Sequence, residues 1–301
     1  MSINRARSRR CSASLASAAA ATTALLLAST LAGASPASST SGASPTSSTT
    51  PTSPTSDGAS ASGTASVSLP PVHAGFDYQI GGAYTPPSGV KVVSRDHEAS
   101  PAAGLYNICY VNAFQAQPGA EADWDADLLL RDAKGKVVYD GDWGEALLDL
   151  RTADKRQRVA AKVGGWIDSC AAKGFQAVEP DNYDSYDRSK GLLTKAQAKS
   201  YITLLSARAH DKGLAIAQKN AAELAGAHAQ TGLDFAVAEE CGTWDECDMY
   251  TAAYGDHVVV IEYTNKGLAA ACSGWGDRLS VVQRDLDVSP AGSAGYVRRT
   301  C

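Results

Sequence analysis

Histidine is scarce: the five present (His73, His97, His210, His228, His257) never follow an apolar run beside a serine or cysteine. That argues against a Ser-His-Asp or Cys-His nucleophile, whose base and nucleophile must converge on one site. No CxxC pair and no His-x-x-x-His accompanies the cysteines, so a zinc site lacks ligands of the usual spacing. Neither GxGxxG nor GxxxxGK[ST] follows an apolar run, which removes the usual cradle for nucleotide phosphates. The acidic run Asp181-Asn182-Tyr183-Asp184 lacks the spacing and glycine of an EF-hand loop. No metal or cofactor is expected. Positive charge is also short, with 27 Lys and Arg against 32 Asp and Glu for a net charge of −5, or −9 without Arg5, Arg7, Arg9 and Arg10 near the N-terminus. Nucleic acid and anionic surfaces are poor partners for such a chain. After Leu31 no apolar run is long enough to span a membrane.

What is present begins with export. The four arginines precede a small-residue apolar run over 13–31, which ends at Ala32-Gly33-Ala34. A basic start, a short apolar stretch and small residues at the exit predict a secretory signal peptide over 1–34. Residues 35–70 are almost entirely Ser, Thr, Ala, Pro and Gly, a composition that cannot bury enough apolar surface to offset ordering entropy. They are expected to be a disordered linker. The folded, secreted part is then 71–301, expected to be monomeric and free of the membrane once the leader is cleaved. Seven cysteines fall by one with the loss of Cys11, leaving Cys109, Cys170, Cys241, Cys247, Cys272 and Cys301. An even set in an exported chain implies disulfides. The expected pairs are Cys241–Cys247 as a local clip, Cys272–Cys301 as a strap on the C-terminus, and Cys109–Cys170 by elimination.

Short apolar runs alternate with helical patterns over the folded part. Strand candidates are 77–80, 90–94, 105–112, 146–150, 175–179, 214–218, 234–238, 257–263 and 279–284. Most are continuously apolar, as in parallel strands covered on both faces. Thr152 can cap a helix whose stripe is Val159, Val163, Trp166, Ile167 and Cys170, with Gly174 as its stop. Thr194 opens another, with Tyr201, Leu204 and Leu205, ending at Gly213. Repeated strand–helix units imply a parallel sheet, closed as a (β/α)8 TIM-type barrel or open and doubly wound. In a barrel, nine candidates compete for eight places, and the surplus one is expected near the N-terminus.

The chemistry lies in the residues just past the end of each strand. One run enters Glu179-Pro180-Asp181-Asn182-Tyr183-Asp184, where Pro180 has no amide hydrogen and should end ladder pairing. Others enter Lys219-Asn220, Glu239-Glu240-Cys241, Glu262-Tyr263 and Arg284-Asp285. A parallel barrel gathers these C-terminal ends on one face, where active sites form. Paired carboxyl groups there suit glycosidic cleavage, one protonating the leaving oxygen and the other acting as nucleophile or base. Tyr110, Trp143, Tyr183, Tyr186, Trp244 and Tyr263 lie near strand ends, where rings can stack on sugar faces.

At these residues the sequence resembles glycoside hydrolase family 114, whose members are endo-α-1,4-polygalactosaminidases and related barrel proteins. The resemblance is carried by Val178-Glu179-Pro180-Asp181-Asn182, Gln218-Lys219-Asn220, Asp234-Phe235-Ala236-Val237-Ala238-Glu239-Glu240-Cys241 and Ile261-Glu262-Tyr263. It also takes in Trp143-Gly144-Glu145, Leu148-Asp149-Leu150-Arg151 and Ile108-Cys109-Tyr110, and covers nearly all of 76–301. It implies a secreted (β/α)8 hydrolase of α-1,4-linked galactosamine polymers, endo-acting, with Asp181 and Glu239 as the catalytic pair. Tyr110, Asp149, Glu179, Asn182, Lys219, Asn220, Glu240, Glu262 and Tyr263 are the candidate substrate-binding residues. The chain departs from the family at Ala238, where Asn is common. That departure motivates the alternative of a non-catalytic carbohydrate-binding or cell-surface module that retains the groove. Independently of the resemblance, a rim carrying Asp149, Glu179, Asp181, Glu239, Glu240 and Glu262 favours a cationic amino-sugar polymer as partner.

Overall fold

The computed structural model describes residues 67–301; the expected leader and all but the last four residues of the expected linker lie outside them. Those four belong to the folded domain. Val67 and Leu69 pack on the barrel's inner apolar cluster. The Tyr106 hydroxyl donates to the Ser68 carbonyl at 2.6 Å, and a His257 ring nitrogen lies 3.0 Å from the Pro70 carbonyl. Val67 and Leu69 supply apolar surface that the Ser/Thr/Pro stretch before them lacks.

In chain order the strands are β1 (Gly75–Gln79), β2 (Val90–Asp96), β3 (Tyr106–Asn112), β4 (Gln115–Ala116), β5 (Ala146–Leu147), β6 (Ala177–Asp181), β7 (Ala215–Lys219), β8 (Phe235–Glu239), β9 (Val258–Glu262), β10 (Ser280–Arg284) and β11 (Arg298–Thr300). The helices are α1 (Ala153–Lys173), α2 (Ser185–Arg188), α3 (Lys195–Asp211), α4 (His228–Thr231), α5 (Cys241–Trp244), α6 (Cys247–Tyr254) and α7 (Asn265–Trp275). β1, β2, β3, β6, β7, β8, β9 and β10 pair in parallel in that order, giving a (β/α)8 TIM-type barrel. β11 adds antiparallel to β10.

Side chains rather than a ladder join β1 to β10. The Ala74 amide donates to Ser280 Oγ at 2.9 Å. Arg298 of β11 donates to the Phe76 carbonyl at 3.0 Å and sits 3.2 Å from the buried Asp77 carboxylate.

The surplus strand candidate is 146–150, in mid-chain rather than near the N-terminus. Only Ala146–Leu147 is extended there, and it pairs antiparallel with Gln115–Ala116 inside the long excursion between β3 and α1. Leu147, Leu148 and Leu150 are apolar because they pack into the shell under the helices, not because they build the barrel wall. The helix signals hold at atomic detail. Thr152 Oγ1 accepts from the Lys155 amide, and Gly174 closes α1 in the left-handed region at φ 92°. Thr194 and Gln197 form a reciprocal capping box on α3.

Alternation along the strands divides the core in two. One set faces the barrel axis: Phe76, Tyr78, Val92, Ile108, Ala177, Ala215, Ala217, Phe235, Val237, Val259, Ile261 and Val282. The other, including Val178, Ile216, Ala236, Ala238 and Val260, meets the helices. Alanines at 177, 215 and 217 leave axial room for Phe76, Tyr78 and Phe235. The eight parallel strands are therefore largely buried on both sides, which is why they read as continuous apolar runs.

The three disulfides are Cys109–Cys170, Cys241–Cys247 and Cys272–Cys301, the pairs expected from sequence. The first ties β3 to α1. Among the described residues no helix is long and apolar enough to cross a membrane. The loops closed differ in length, with separations of 61, 6 and 29 residues. Chain entropy then ranks the bonds: replacing Cys109 and Cys170 by serine should cost about 4 kcal/mol, against about 2 kcal/mol for Cys241 and Cys247. Urea unfolding of the two double variants checks this, and an inverted order would refute the entropic account.

Candidate active site

The axial alternation that fills the barrel floor with alanine and aromatic rings continues upward into charge. On β6 the inward series is Ala177, Glu179, Asp181; on β7 it is Ala215, Ala217, Lys219; on β8 it is Phe235, Val237, Glu239. Lys219 is the hub. Its ammonium lies 3.0 Å from Glu179 Oε1, 3.1 Å from Asp181 Oδ1 and 3.5 Å from Glu239 Oε2, with its side chain only 1% exposed. It also donates to the Tyr78 hydroxyl at 2.9 Å. Burial pulls the Lys219 pKa down, but Asp181, Glu239 and Glu179 outweigh it and hold the ammonium above its ordinary value.

Asp181 and Glu239 face the groove above this hub. Asp181 Oδ2 accepts from the Tyr110 hydroxyl at 2.9 Å. Glu239 Oε2 accepts from Asn220 Nδ2 at 2.9 Å, and its other oxygen accepts from the Tyr263 hydroxyl. The Glu239 amide donates in turn to Asn220 Oδ1 at 2.9 Å, so Asn220 grips both ends of the residue. Strand ends set these positions. Asn182, Asn220 and Glu240, each immediately after its strand, turn left-handed at φ 70°, 53° and 59°. Asparagine tolerates that region; a glutamate there is a strained position of the kind found at functional sites. Pairing of β6 with β7 stops at Val178, short of Pro180, while its pairing with β3 continues to Asp181.

Of the residues expected at the site, Tyr110, Asn182, Asn220, Glu240 and Tyr263 line the groove with the pair. Four others do not. Glu179 is fully buried below Asp181, accepting from Tyr78 at 2.8 Å, Ser94 at 2.6 Å and Lys219, so it supports the site from beneath. Lys219 is equally out of reach of a sugar. Asp149 is buried at the start of α1, bound by Arg151 at 2.7 Å and Lys155 at 2.6 Å. Glu262 is sealed under α5, where it accepts from the Gly242 amide at 2.8 Å and Thr243 Oγ1 at 2.7 Å. A β-carbon on Gly267 would come within 2.1 Å of Glu262 Oε2, so α7 also packs directly against that carboxylate. Both residues follow apolar runs, but their side chains turn away from the axis.

Among the aromatic candidates, Trp143, Tyr110 and Tyr263 line the groove, whereas Tyr183 and Tyr186 are core residues and Trp244 lies exposed outside it. The groove also takes Asp142, Glu145, Asp184 and Arg188 on the side of the β3–α1 excursion. Leu286, Asp287 and Val288 follow β10 across the mouth. Gly144-Glu145 is visible as a motif, but nothing in strand periodicity could bring an excursion between β3 and α1 back over the barrel. Ala238 points away from the pair into the shell under the helices, so the departure from the family pattern leaves the carboxylates untouched.

A general acid, a nucleophile or base, phenol and amide donors that hold both, and an open groove are the parts that glycoside hydrolysis requires. The chain matches the family model for glycoside hydrolase family GH114 over residues 56–301. Its fold is similar to that of Ega3 from Aspergillus fumigatus, solved in complex with galactosamine, at 24% identity and a TM-score of 0.63, covering 78% of this chain and 98% of that one. It is also similar to the glycoside hydrolase domain of PelA from Pseudomonas aeruginosa, at 15% identity and a TM-score of 0.50, covering 73% and 97%. No curated protein sequence matches. With most of its length matched by that model, the chain is a glycoside hydrolase belonging to family GH114.

Proposed function

We propose that the protein is a secreted, endo-acting hydrolase of α-1,4-linked galactosamine-containing polysaccharide, with Asp181 and Glu239 as its catalytic carboxylates. The observation that carries this reading is the shared ammonium: Asp181 and Glu239 both contact Lys219 Nζ from the strands on either side of β7 while remaining open to one groove. One carboxylate attacks the anomeric carbon as the other protonates the departing glycosidic oxygen. Water then releases the sugar from the enzyme, with the second carboxylate acting as base. Tyr110 and Tyr263 hold the two groups in place, since each phenol donates to the carboxylate oxygen that Lys219 does not contact.

Spacing supports a covalent intermediate. One oxygen of each carboxylate lies at the same nitrogen, at 3.1 and 3.5 Å, so the two groups sit side by side at the shared ammonium. The arrangement suits the closer, retaining geometry of about 5–5.5 Å.

Charge supports the substrate class. The groove is lined by Asp142, Glu145, Asp181, Asp184, Glu239, Glu240 and Asp287, against Arg188 as its lining cation. A polymer of ammonium sugars would be drawn to such a field and a neutral one would not. The galactosamine bound to Ega3 fits this reading. Three disulfides support an oxidising destination, in keeping with the leader expected over 1–34.

Asp181→Asn and Glu239→Gln keep shape and remove the ionisable group. Each should lower kcat on a galactosamine polymer by about a thousandfold or more, with the circular-dichroism spectrum unchanged. A reducing-end assay reads the loss, and full turnover in either variant would refute the pair. Proton NMR of the first sugar released should show the α configuration kept. Initial appearance of the β anomer would mean inversion and a wider working separation.

A further inference from the structure

Glu145 closes the turn over 140–145 that walls one side of the groove. The Asp140 amide donates to the Glu145 carbonyl at 2.8 Å and the Gly144 amide to the Asp140 carbonyl at 3.0 Å, a loop that requires φ of 68° at Gly144. The residue is 8% exposed, yet it lines the groove. Its Oε2 accepts from Asn182 Nδ2 at 3.3 Å, a long bond from a neutral amide. The ionisable groups facing it are Asp181 from β6, Tyr110 from β3, Asp140 from its own turn and Arg188 from α2. Arg188 is engaged by Asp140 at 2.5 Å and Asp184 at 2.8 Å. Lys219 is engaged by its own three carboxylates. Among the described residues no cation forms an ion pair with Glu145. Burial, opposed by Asn112 and Arg188 and reinforced by Asp181 and Asp140, pushes its pKa up to about 7. A buried carboxyl that opens on a ligand groove without a counter-ion of its own is ready to receive one.

We infer that Glu145 is the specificity-determining residue for a free amino sugar: it pairs as a carboxylate with the ligand's ammonium group and gives up its proton to solvent as the sugar enters. The inference rests on the galactosamine reading above and assigns the group that reads the amine. An N-acetylated sugar brings no charge and leaves Glu145 protonated. Selectivity for the free amine therefore grows as pH rises toward about 7 and weakens as pH falls, because below that value ionising Glu145 opposes binding.

Calorimetric titration of the whole chain with galactosamine and with N-acetylgalactosamine, each in two buffers of different ionisation enthalpy, tests this. Galactosamine should release close to one proton near about pH 6, and its affinity should rise up to about tenfold from about pH 5.5 to about pH 6.5. The acetylated sugar should release none. Glu145→Gln should abolish the release and flatten the pH dependence. Carboxyl 13C NMR of the unsubstituted protein gives a readout that needs no variant: saturating galactosamine should lower the Glu145 titration midpoint by at least about one unit. Four results would overturn the assignment: no galactosamine binding, equal proton release with both sugars, release that persists in Glu145→Gln, or an unmoved Glu145 midpoint. Because the readouts use monosaccharides, a protein that fails to cut galactosamine polymers would refute the proposed activity while leaving this binding result to stand or fall separately.

Discussion

A single ammonium buried at the top of a barrel would be costly by itself, since an uncompensated interior charge costs several kcal/mol. Lys219 is stable there only because Glu179, Asp181 and Glu239 surround it, and those carboxylates tolerate one another only because Lys219 stands between them. Each strand that contributes a charge thus depends on the others being in register. The phenols of Tyr78, Tyr110 and Tyr263 complete the arrangement by donating to the oxygens. Along the axis, alanine and phenylalanine give way to a hydrogen-bonded ionic layer and then to the groove.

That layer explains why fold and site cannot be varied independently. Side chains alternate between axis and helices, so a one-residue slip of β6, β7 or β8 would exchange the ionic layer with the outer apolar shell. Ala238 illustrates the rule. It adjoins Glu239 in sequence but belongs to the helix-facing shell, and Glu239 is oriented by Asn220, just past β7, together with Tyr263 and Lys219.

The same alternation decides what can be read from the chain. Caps at Thr152 and Thr194, the apolar runs and the cysteine pairs are legible because each depends on local chemistry or on export. Asp181 and Glu239 are legible because they follow strands and stay near the axis. Asp149 and Glu262 also follow apolar runs, but the first serves the start of α1 and the second anchors α5, and a linear pattern does not distinguish a carboxylate facing the groove from one facing a helix terminus. For Glu179 the pattern gives the correct strand but a position one layer too high. Glu145 is the harder case, because its place at the mouth depends on how the excursion between β3 and α1 folds back, through pairings between β4 and β5 that periodicity cannot supply.

The seam between β1 and β10 has a kinetic meaning. It unites residues at the two ends of the domain, with 206 positions between Ala74 and Ser280 and 222 between Phe76 and Arg298. Loop-closure entropy grows with the span joined, and long-range contacts form late in folding. The cylinder's final joint is thus its entropically costliest one, and it is secured by a handful of polar contacts instead of a continuous ladder. Thermal opening of the staves should begin where the wall is completed last.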